Sequence, residues 1–382
     1  MNKFSSLYLD ILRIFAAFGV LLHHCNVGWF SEDKFLAPHY GHKFVILFFV
    51  LSGYLIAYSS LQKKKAWEDY LVDRISRLYS VIIPAIALTY FLDGLGQWLN
   101  PEFYSLMAIK NYPFLRGIMT LANLHQIQGF CMNPSANTPF WSIGYEFWYY
   151  VLFGIFIFVK SFKWKISLLA ATSLLIGYKI LLLMPIWLLG VVVYQYSKKI
   201  NIGSSHAIIG GILSFFAMIY LTITPTTLAF PVLQLGHHQF VLYYSQYFLT
   251  DYVYGLLFSY HLFCILQIPV KPFSIGFLEG IIKYLASITF SIYLFHYPFI
   301  ILSAALIPYN HSSYVQMILL LVWIVAVIAV LSHFTESQRG KLKGWLKLLI
   351  HSFKAPVILN EFERNKQDQN LKEISTAVTP AS

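Results

Sequence analysis

The sequence predicts an all-α fold, a polytopic integral membrane bundle of about ten transmembrane helices. Of its 382 residues, 58% are hydrophobic and only 11% are charged, with a mean hydropathy of +0.63. A soluble domain carries about 25% charged residues. The apolar residues also form repeated runs of about 20, the length of helix that crosses a hydrocarbon core of about 30 Å. Lys and Arg residues are divided unevenly between alternate loops, which is typical of membrane proteins.

Ten apolar runs are candidate spans. The fifth and sixth are short for a membrane core, so a single tilted hairpin is an alternative to two full crossings. We assign residues 1–335 to the membrane domain, 336–358 to a basic amphipathic segment on the inner leaflet, and 359–382 to a disordered polar tail. The predicted spans are 8–30, 44–61, 77–98, 141–159, 166–178, 180–196, 206–223, 244–266, 281–303 and 314–334.

The basic residues predict the orientation of the bundle. Of the 27 Lys and Arg residues, 18 fall on the side that carries both termini, one (Arg13) lies in the first span and three lie in the tail. Basic residues concentrate in cytoplasmic loops, so both termini are expected in the cytoplasm and the protein in the plasma (inner) membrane. The longest outer loop, 99–140, is either a structural cap or a cover for an acceptor site. The five basic residues predicted outside are Lys34, Lys43, Lys110, Arg116 and Lys179.

Two other classes of partner are not indicated. The net charge of +11 does not predict nucleic-acid binding, because the charges lie in short loops and no soluble basic domain is evident. No metal site is predicted either. His237 and His238 lack a third ligand at suitable spacing, and the three cysteines show no metal or redox spacing.

The first span carries Asp10, Arg13, His23 and His24. A charge at mid-bilayer costs roughly 2.5–3.5 kcal/mol, so residues of this kind are candidates for function. Arg13 and His24 are 11 residues apart, which places them within about 20° of each other and roughly 16 Å apart along a helix. His23 points about 100° away from His24. One helix face therefore holds a cation in the inner half and an imidazole in the outer half.

Three other ionisable residues lie at a depth similar to that of His24: Glu146, Asp251 and His296. Four groups from four helices are thus expected in one outer layer, where they can satisfy one another. His24, Asp251 and His296 also have structural alternatives. His24 and Asp251 can bond to neighbouring helices without taking part in chemistry, and His296 can support a kink at Pro298.

Arg74 and Arg77 are three residues apart at the cytoplasmic edge of the third span. Planar guanidinium groups suit phosphate, and ordinary positive-inside anchoring is the alternative. In the second span, Ser52 and Gly53 are small enough to let a neighbouring helix approach closely.

These features resemble the membrane acyltransferase-3 family. Arg13 and His24 match that family's pattern of Arg or Lys, ten residues and His in the first helix. Four further motifs follow in the expected order across most of residues 5–335, and the ordered set is far more specific than any one motif. They are Phe48–Tyr54 (FFVLSGY), Arg74–Leu78 (RISRL) followed by Pro84, Phe140–Glu146 (FWSIGYE) and Ser291–Pro298 (SIYLFHYP).

The resemblance implies an O-acyltransferase. It would move an acetyl or other short acyl group from cytoplasmic acyl-CoA to a hydroxyl of an extracytoplasmic glycan or glycolipid, with no permanently bound cofactor. Lipopolysaccharide O-antigen, exopolysaccharide, peptidoglycan and small-molecule acceptors all stay open. Two rival classes are a transporter or carbohydrate exporter and a non-enzymatic membrane subunit, for which buried charges are also natural. The lack of a visible repeat weighs against the first, and the ordered motifs weigh against the second.

The resemblance also implies roles for single residues. His24 would be the general base, because an imidazole with a pKa of about 6.5 can take a proton from an attacking hydroxyl. Glu146 would orient or stabilise that imidazole, as a carboxylate does in a catalytic triad. The remaining candidates are Arg13 and His296 as catalytic residues, Arg74 and Arg77 on the donor phosphates, and Ser52 and Gly53 beside the pantetheine arm.

Overall fold

A computed structural model describes residues 3–26, 40–62, 66–106, 113–224, 228–235, 237–269, 276–308, 310 and 313–352. Within these ranges the chain is almost entirely helical, with one antiparallel hairpin in which Val232 pairs with Val241. The helices are α1 (Lys3–Asn26), α2 (Tyr40–Ala57, continued by a π turn Tyr58–Gln62), α3 (Trp67–Leu99), α4 (Pro101–Leu106), α5 (Pro113–Leu121), α6 (Phe140–Phe158), α7 (Phe162–Ile176), α8 (Tyr178–Tyr196), α9 (Ser204–Ile223), α10 (Phe248–Gln267), α11 (Phe277–Ser287), α12 (Thr289–Leu306), α13 (Tyr314–Phe334) and α14 (339–352); the strands are β1 (Val232–Leu235) and β2 (His238–Val241).

The all-α membrane architecture predicted from composition is confirmed. Nine helices among the described residues are long and apolar enough to cross a membrane. The predicted span 166–178 is the exception, because α7 has only 15 residues. We call the end of the bundle at which α1 begins the proximal end and the opposite end the distal end.

Helix α7 nevertheless runs between the two ends. Its last carbonyl, that of Ile176, accepts a hydrogen bond of 2.9 Å from the backbone N–H of Gln128 in the distal loop. Gly177 then reverses the chain with a φ of +81°, a conformation that favours glycine. Helix α8 begins at Tyr178 and returns to the proximal end, so α7 and α8 form the hairpin considered above.

Helix α2 lies at the centre of the bundle and packs against α1, α8 and α10. Its contact with α8 depends on two glycines. A Cβ atom on Gly53 would lie 2.0 Å from the carbonyl oxygen of Trp187, and one on Gly190 would lie 2.0 Å from that of Val50. The two backbones are therefore in direct contact, which small residues make possible in membrane helices.

The loop between α3 and α6 forms a cap on the distal end. The Asn137 side chain donates to the carbonyl of Leu294 on α12 (2.9 Å) and to the Thr89 hydroxyl on α3 (3.0 Å). His125 is fully buried and bonds through Nε2 to the carbonyl of Phe140 (3.0 Å). Trp148 donates to the carbonyl of Asn123 (2.8 Å). These bonds fix the cap to α3, α6 and α12.

Two basic residues predicted to lie outside are buried at the distal end. The Lys43 and Lys179 ammonium groups donate to the carbonyls of Leu221 and Phe130. Lys34, Lys110 and the predicted tail 359–382 lie outside the described residues. The predicted basic segment is helical over α14, and two of its lysines form ion pairs with α3, Lys343 with Asp73 and Lys347 with Asp69.

Candidate active site

A cavity of about 670 Å³, including its open part, lies among α1, α2, α3, α6 and α12. Three arginines line it, Arg13, Arg74 and Arg77. They come from the proximal halves of α1 and α3, so positive charge is concentrated towards that end. The predicted phosphate-suited residues and the cation of the first span thus belong to one cavity.

Arg74 is the most buried of these cations, with 8% of its surface exposed. Its guanidinium lies over the rings of Tyr70 and Tyr150, 5.8 and 5.7 Å from their centroids. Its Nε is buried without a hydrogen-bond partner among the described residues. A buried donor left in this state is costly. Arg74 therefore has hydrogen-bonding capacity available for an anion in the cavity.

Arg13 connects α1 to the first turn of α12. Its guanidinium donates to the Thr289 hydroxyl (3.2 Å) and lies 3.7 Å from the carboxylate of Asp10. Eleven residues later on the same helix, His24 also bonds to α12, at His296. The common face predicted for Arg13 and His24 is therefore observed, and it is the face that contacts α12.

Glu146 lies in the cavity and not at His24. Its carboxylate accepts hydrogen bonds from the hydroxyls of Ser52 and Tyr150, and Ser52 in turn accepts from the indole N–H of Trp187 (3.2 Å). The prediction that Glu146 orients the His24 imidazole is wrong for this structure. Glu146 faces α2 from its position on α6, and the partner of His24 comes from α12.

Ser52 and Gly53 are adjacent in sequence but have different surroundings. Ser52 lines the cavity beside Glu146. Gly53 faces α8, where it is in contact with the backbone of Trp187. The expected close helix approach accounts for Gly53, which does not line the cavity and so is not placed to bind a cofactor there.

The distal end holds a pair of imidazoles. His24 Nδ1 and His296 Nε2 are 2.8 Å apart. The other nitrogen of His296, Nδ1, is 2.9 Å from the carbonyl oxygen of Ile292, which can only accept. Nδ1 of His296 therefore carries the proton, and its Nε2 accepts one from Nδ1 of His24. In a neutral pair this leaves the lone pair of His24 on Nε2.

The two histidines differ in exposure. His296 is fully buried, whereas His24 is partly exposed and meets the ring of Tyr297 edge-on, with centroids 4.9 Å apart. His23 turns towards α2, where its ring lies 4.8 Å from that of Tyr40. Of the two neighbouring histidines, only His24 belongs to the pair.

The cavity extends from the arginines to Tyr293, which lies next to the histidine pair. Tyr293 lines it on α12, and its ring centroid lies 6.3 Å from that of His296. The Tyr293 hydroxyl is 2.7 Å from that of Ser142 and donates to the carbonyl of Pro139 (3.1 Å). Ser142 also lines the cavity, at its distal part.

The expected single layer of four ionisable groups is wrong. Asp251 pairs with His42, with 2.9 Å between its Oδ2 and Nε2 of His42. His42 was not among the predicted residues. It lies two residues before the predicted start of the second span, and its only signal in the sequence is that it is an ionisable residue at the edge of an apolar run. The His42 ring stacks on Trp141 at 5.4 Å. The four residues therefore belong to three separate polar groups. These are Glu146 with Ser52 and Tyr150, His24 with His296, and Asp251 with His42.

The fold and the site together define a class, a polytopic helical membrane protein with clustered arginines in an internal cavity and a histidine pair next to the cavity-lining Tyr293. Residues 6–333 match the acyltransferase-3 family model, described as an acyltransferase domain. The chain belongs to this family, and the predicted acyltransferase activity class is confirmed.

Three relatives agree with this assignment. The chain is similar to an O-acetyl transferase of Shigella phage Sf6, with 26% identity over 54% of this chain and 68% of the relative. It is also similar to the putative peptidoglycan O-acetyltransferase YrhL of Bacillus subtilis (28% identity, 44% of this chain, 26% of the relative). The peptidoglycan O-acetyltransferase OatA of Listeria monocytogenes is 26% identical over 47% of this chain and 28% of that protein. The matches thus span only about a quarter of the two peptidoglycan relatives. No solved structure matches the chain.

Proposed function

We propose that the protein transfers an acetyl or other short acyl group from cytoplasmic acyl-CoA to a hydroxyl of an extracytoplasmic glycan, in the plasma (inner) membrane with both termini in the cytoplasm. The observation that carries this proposal is the cavity that reaches from Arg74 and Arg77 to Tyr293, beside His296. The names of the relatives favour an acetyl group and a glycan acceptor.

In this proposal the donor enters at the proximal end. Arg74 and Arg77 bind its phosphates, since a guanidinium offers two parallel donors to phosphate oxygens. The pantetheine arm lies along the cavity past Ser52 and Glu146, whose polar atoms can meet its amides. The thioester then comes to rest near Tyr293, close to the histidine pair.

The reaction needs one proton transfer. His24 Nε2 accepts the proton of the acceptor hydroxyl as its oxygen attacks the thioester carbonyl. The carbon–sulfur bond breaks, the CoA thiolate leaves, and the proton held by His24 passes to it to give free CoA. His296 accepts from His24 Nδ1–H throughout, which holds the ring in the orientation and tautomer that catalysis requires.

Transfer of labelled acetyl from acetyl-CoA by the purified protein in lipid nanodiscs tests this proposal. The acceptor is sought by mass spectrometry of cell-envelope glycans with and without the protein. We expect glycan esters that depend on both the protein and acetyl-CoA. Unchanged ester content in every glycan fraction would reject the glycan acceptor, and failure to consume acetyl-CoA would reject the donor.

A further inference from the structure

Helices α3 and α14 face each other in an antiparallel register. Lys347 of α14 lies 2.8 Å from the carboxylate of Asp69 on α3, and Lys343 lies 2.5 Å from that of Asp73. The two lysines are four residues apart, and so are the two aspartates. Residues with this spacing lie one above the other on a helix. The two ion pairs are therefore successive steps along one contact.

Four residues further along each helix, the same register places Arg77 on α3 opposite Arg339 on α14. Both residues carry positive charge, so the step that follows two ion pairs brings like charges together. Arg339 is half-buried and is repelled by Arg77 and Arg74. Like charges at this spacing destabilise a protein unless an anion lies between them.

The two carboxylates that attract Arg339, those of Asp73 and Glu336, also hold other partners. Asp73 is held by Lys343. Glu336 is close enough to attract Arg13 and Arg77 as well as Arg339, and its Oε2 accepts from the backbone N–H and the hydroxyl of Ser291 on α12, at 3.2 and 3.1 Å. Arg74, Arg77 and Arg339 therefore lie close together around carboxylates that have other partners, an arrangement suited to a polyanion.

We infer that Arg339 is a further donor-binding residue, which with Arg77 grips a phosphate of the nucleotide part of acyl-CoA. The inference rests on the proposed donor. Arg339 does not line the cavity, so the group that it reaches is the part of the donor farthest from the thioester. In CoA that part carries the 3′-phosphate of the ribose. The two ion pairs of α14 hold Arg339 in place for this contact.

Thermal unfolding and CoA titration of the full-length protein in neutral detergent test the inference. Arg339→Ala should leave the melting temperature of the ligand-free protein unchanged or raised, because a repulsion is removed. It should weaken CoA binding roughly ten- to a hundredfold. Lys341→Ala is the matched control, since this exposed lysine lies two residues away on α14, and it should bind CoA like the wild type.

A second ligand identifies the phosphate. The wild type should bind CoA more tightly than 3′-dephospho-CoA, and this difference in affinity should be much smaller in Arg339→Ala, in which only Arg77 is left to contact the phosphate. Arg339→Lys keeps the positive charge but lacks the planar guanidinium with its two parallel donors. Its affinity for CoA should lie between those of the wild type and Arg339→Ala. It also provides a folded variant if the alanine protein is unstable.

Three results would overturn the inference. The first is an affinity of Arg339→Ala for CoA that equals that of Lys341→Ala. The second is a lowered melting temperature of Arg339→Ala with unchanged affinity for CoA, which would make Arg339 a structural residue. The third is unchanged CoA affinity with loss of stabilisation by phosphatidylglycerol in mixed micelles, which indicates a lipid headgroup contact. Failure of the wild type to bind CoA would reject the donor itself, and is thereby distinguished from failure of Arg339 alone.

Discussion

His24 donates to His296 across the contact between α1 and α12, with 2.8 Å between Nδ1 of His24 and Nε2 of His296. The bond from His296 Nδ1 to the carbonyl of Ile292 sets the direction of this one. Together the two bonds select the tautomer of His24 in which Nε2 is free to accept a proton. A backbone carbonyl on α12 thus determines which atom of α1 is basic.

Replacing each histidine of the first helix separately tests this arrangement. His24→Ala should lower the acyl-transfer rate by about 10²–10⁴, the contribution of a general base. His23→Ala should keep most of the activity, because His23 packs against Tyr40. Rates are measured with labelled acetyl-CoA at equal protein in nanodiscs. An inactive His23→Ala with an active His24→Ala would reverse the assignment.

His296 is predicted to position His24 and not to react itself. His296→Leu removes the acceptor for His24 Nδ1–H, and should lower kcat by at least about tenfold within the range of general-base effects. His296→Gln supplies an amide oxygen in a similar place and should restore part of the rate, with little change in KM for acetyl-CoA. Equal loss in both variants would argue against the positioning role.

Arg74 and Arg77 are predicted to act on donor binding. Alanine at either position should raise the apparent KM for acetyl-CoA roughly ten- to a hundredfold, from the loss of charge-assisted bonds of about 1.5–3 kcal/mol. Arg74→Lys should also be impaired, because lysine lacks the planar fork that lies over Tyr70 and Tyr150. Lys199→Ala is the control, because Lys199 is an exposed lysine at the proximal end, and it should leave the KM for acetyl-CoA unchanged. Unchanged KM in both alanine variants would leave membrane anchoring as their role.

The orientation in the membrane is tested with two exposed positions at opposite ends of the bundle. Single cysteines replace Lys199 after α8 and Gln239 on β2, in a background without Cys25, Cys131 and Cys264. In intact cells an impermeant thiol reagent should label residue 239 and reach residue 199 only after the membrane is opened. Labelling of residue 199 from outside would invert the predicted topology.

The distal cap should weaken in acid because of His125. Burial lowers the pKa of His125 to about 4, although its bond to Phe140 opposes this shift. The unfolded pKa is about 6.5, so the unfolded chain binds the proton first as pH falls from 6.5 towards 4. Over that interval the free energy of unfolding should fall by up to about 3 kcal/mol.

The measurement for His125 is the melting temperature at several pH values between 4 and 7.5. His125→Gln keeps a side-chain donor for the Phe140 carbonyl and has no group that titrates in this range. It should lose much of the decline with acid seen in the wild type. A decline of the same size in both proteins would assign the acid sensitivity to other groups.

The sequence predicts relationships within a helix better than those between helices. The spacing of Arg13 and His24 was enough to place them on one face, because helix geometry fixes the angle between any two positions. The pairing of His24 with His296 was not predictable. It depends on how α1 and α12 are rotated and shifted against each other, and α12 begins at Thr289 after a break at Ile288, not at the predicted residue 281.

Glu146 shows the same limit. Its place along the sixth helix was known from the sequence, but the direction in which it points was not, so the carboxylate of Glu146 and the imidazole of His24 were wrongly predicted to be in contact. Gly53 shows the converse. Its chemistry suggested a close approach of helices, and it is in contact with the backbone of Trp187. A small residue indicates a close helix contact even when the neighbouring helix is unknown. A charged residue does not indicate which residue is its partner.

Helix α12 receives a hydrogen bond from α1 at each of two levels, from Arg13 at Thr289 and from His24 at His296. The two bonds are seven residues apart on α12, nearly two full turns, so one rigid rod carries both. A rotation of α12 about its axis would therefore change the geometry of both hydrogen bonds together. The guanidinium in the proximal half of the bundle and the imidazole near its distal end therefore both depend on the orientation of one helix, α12.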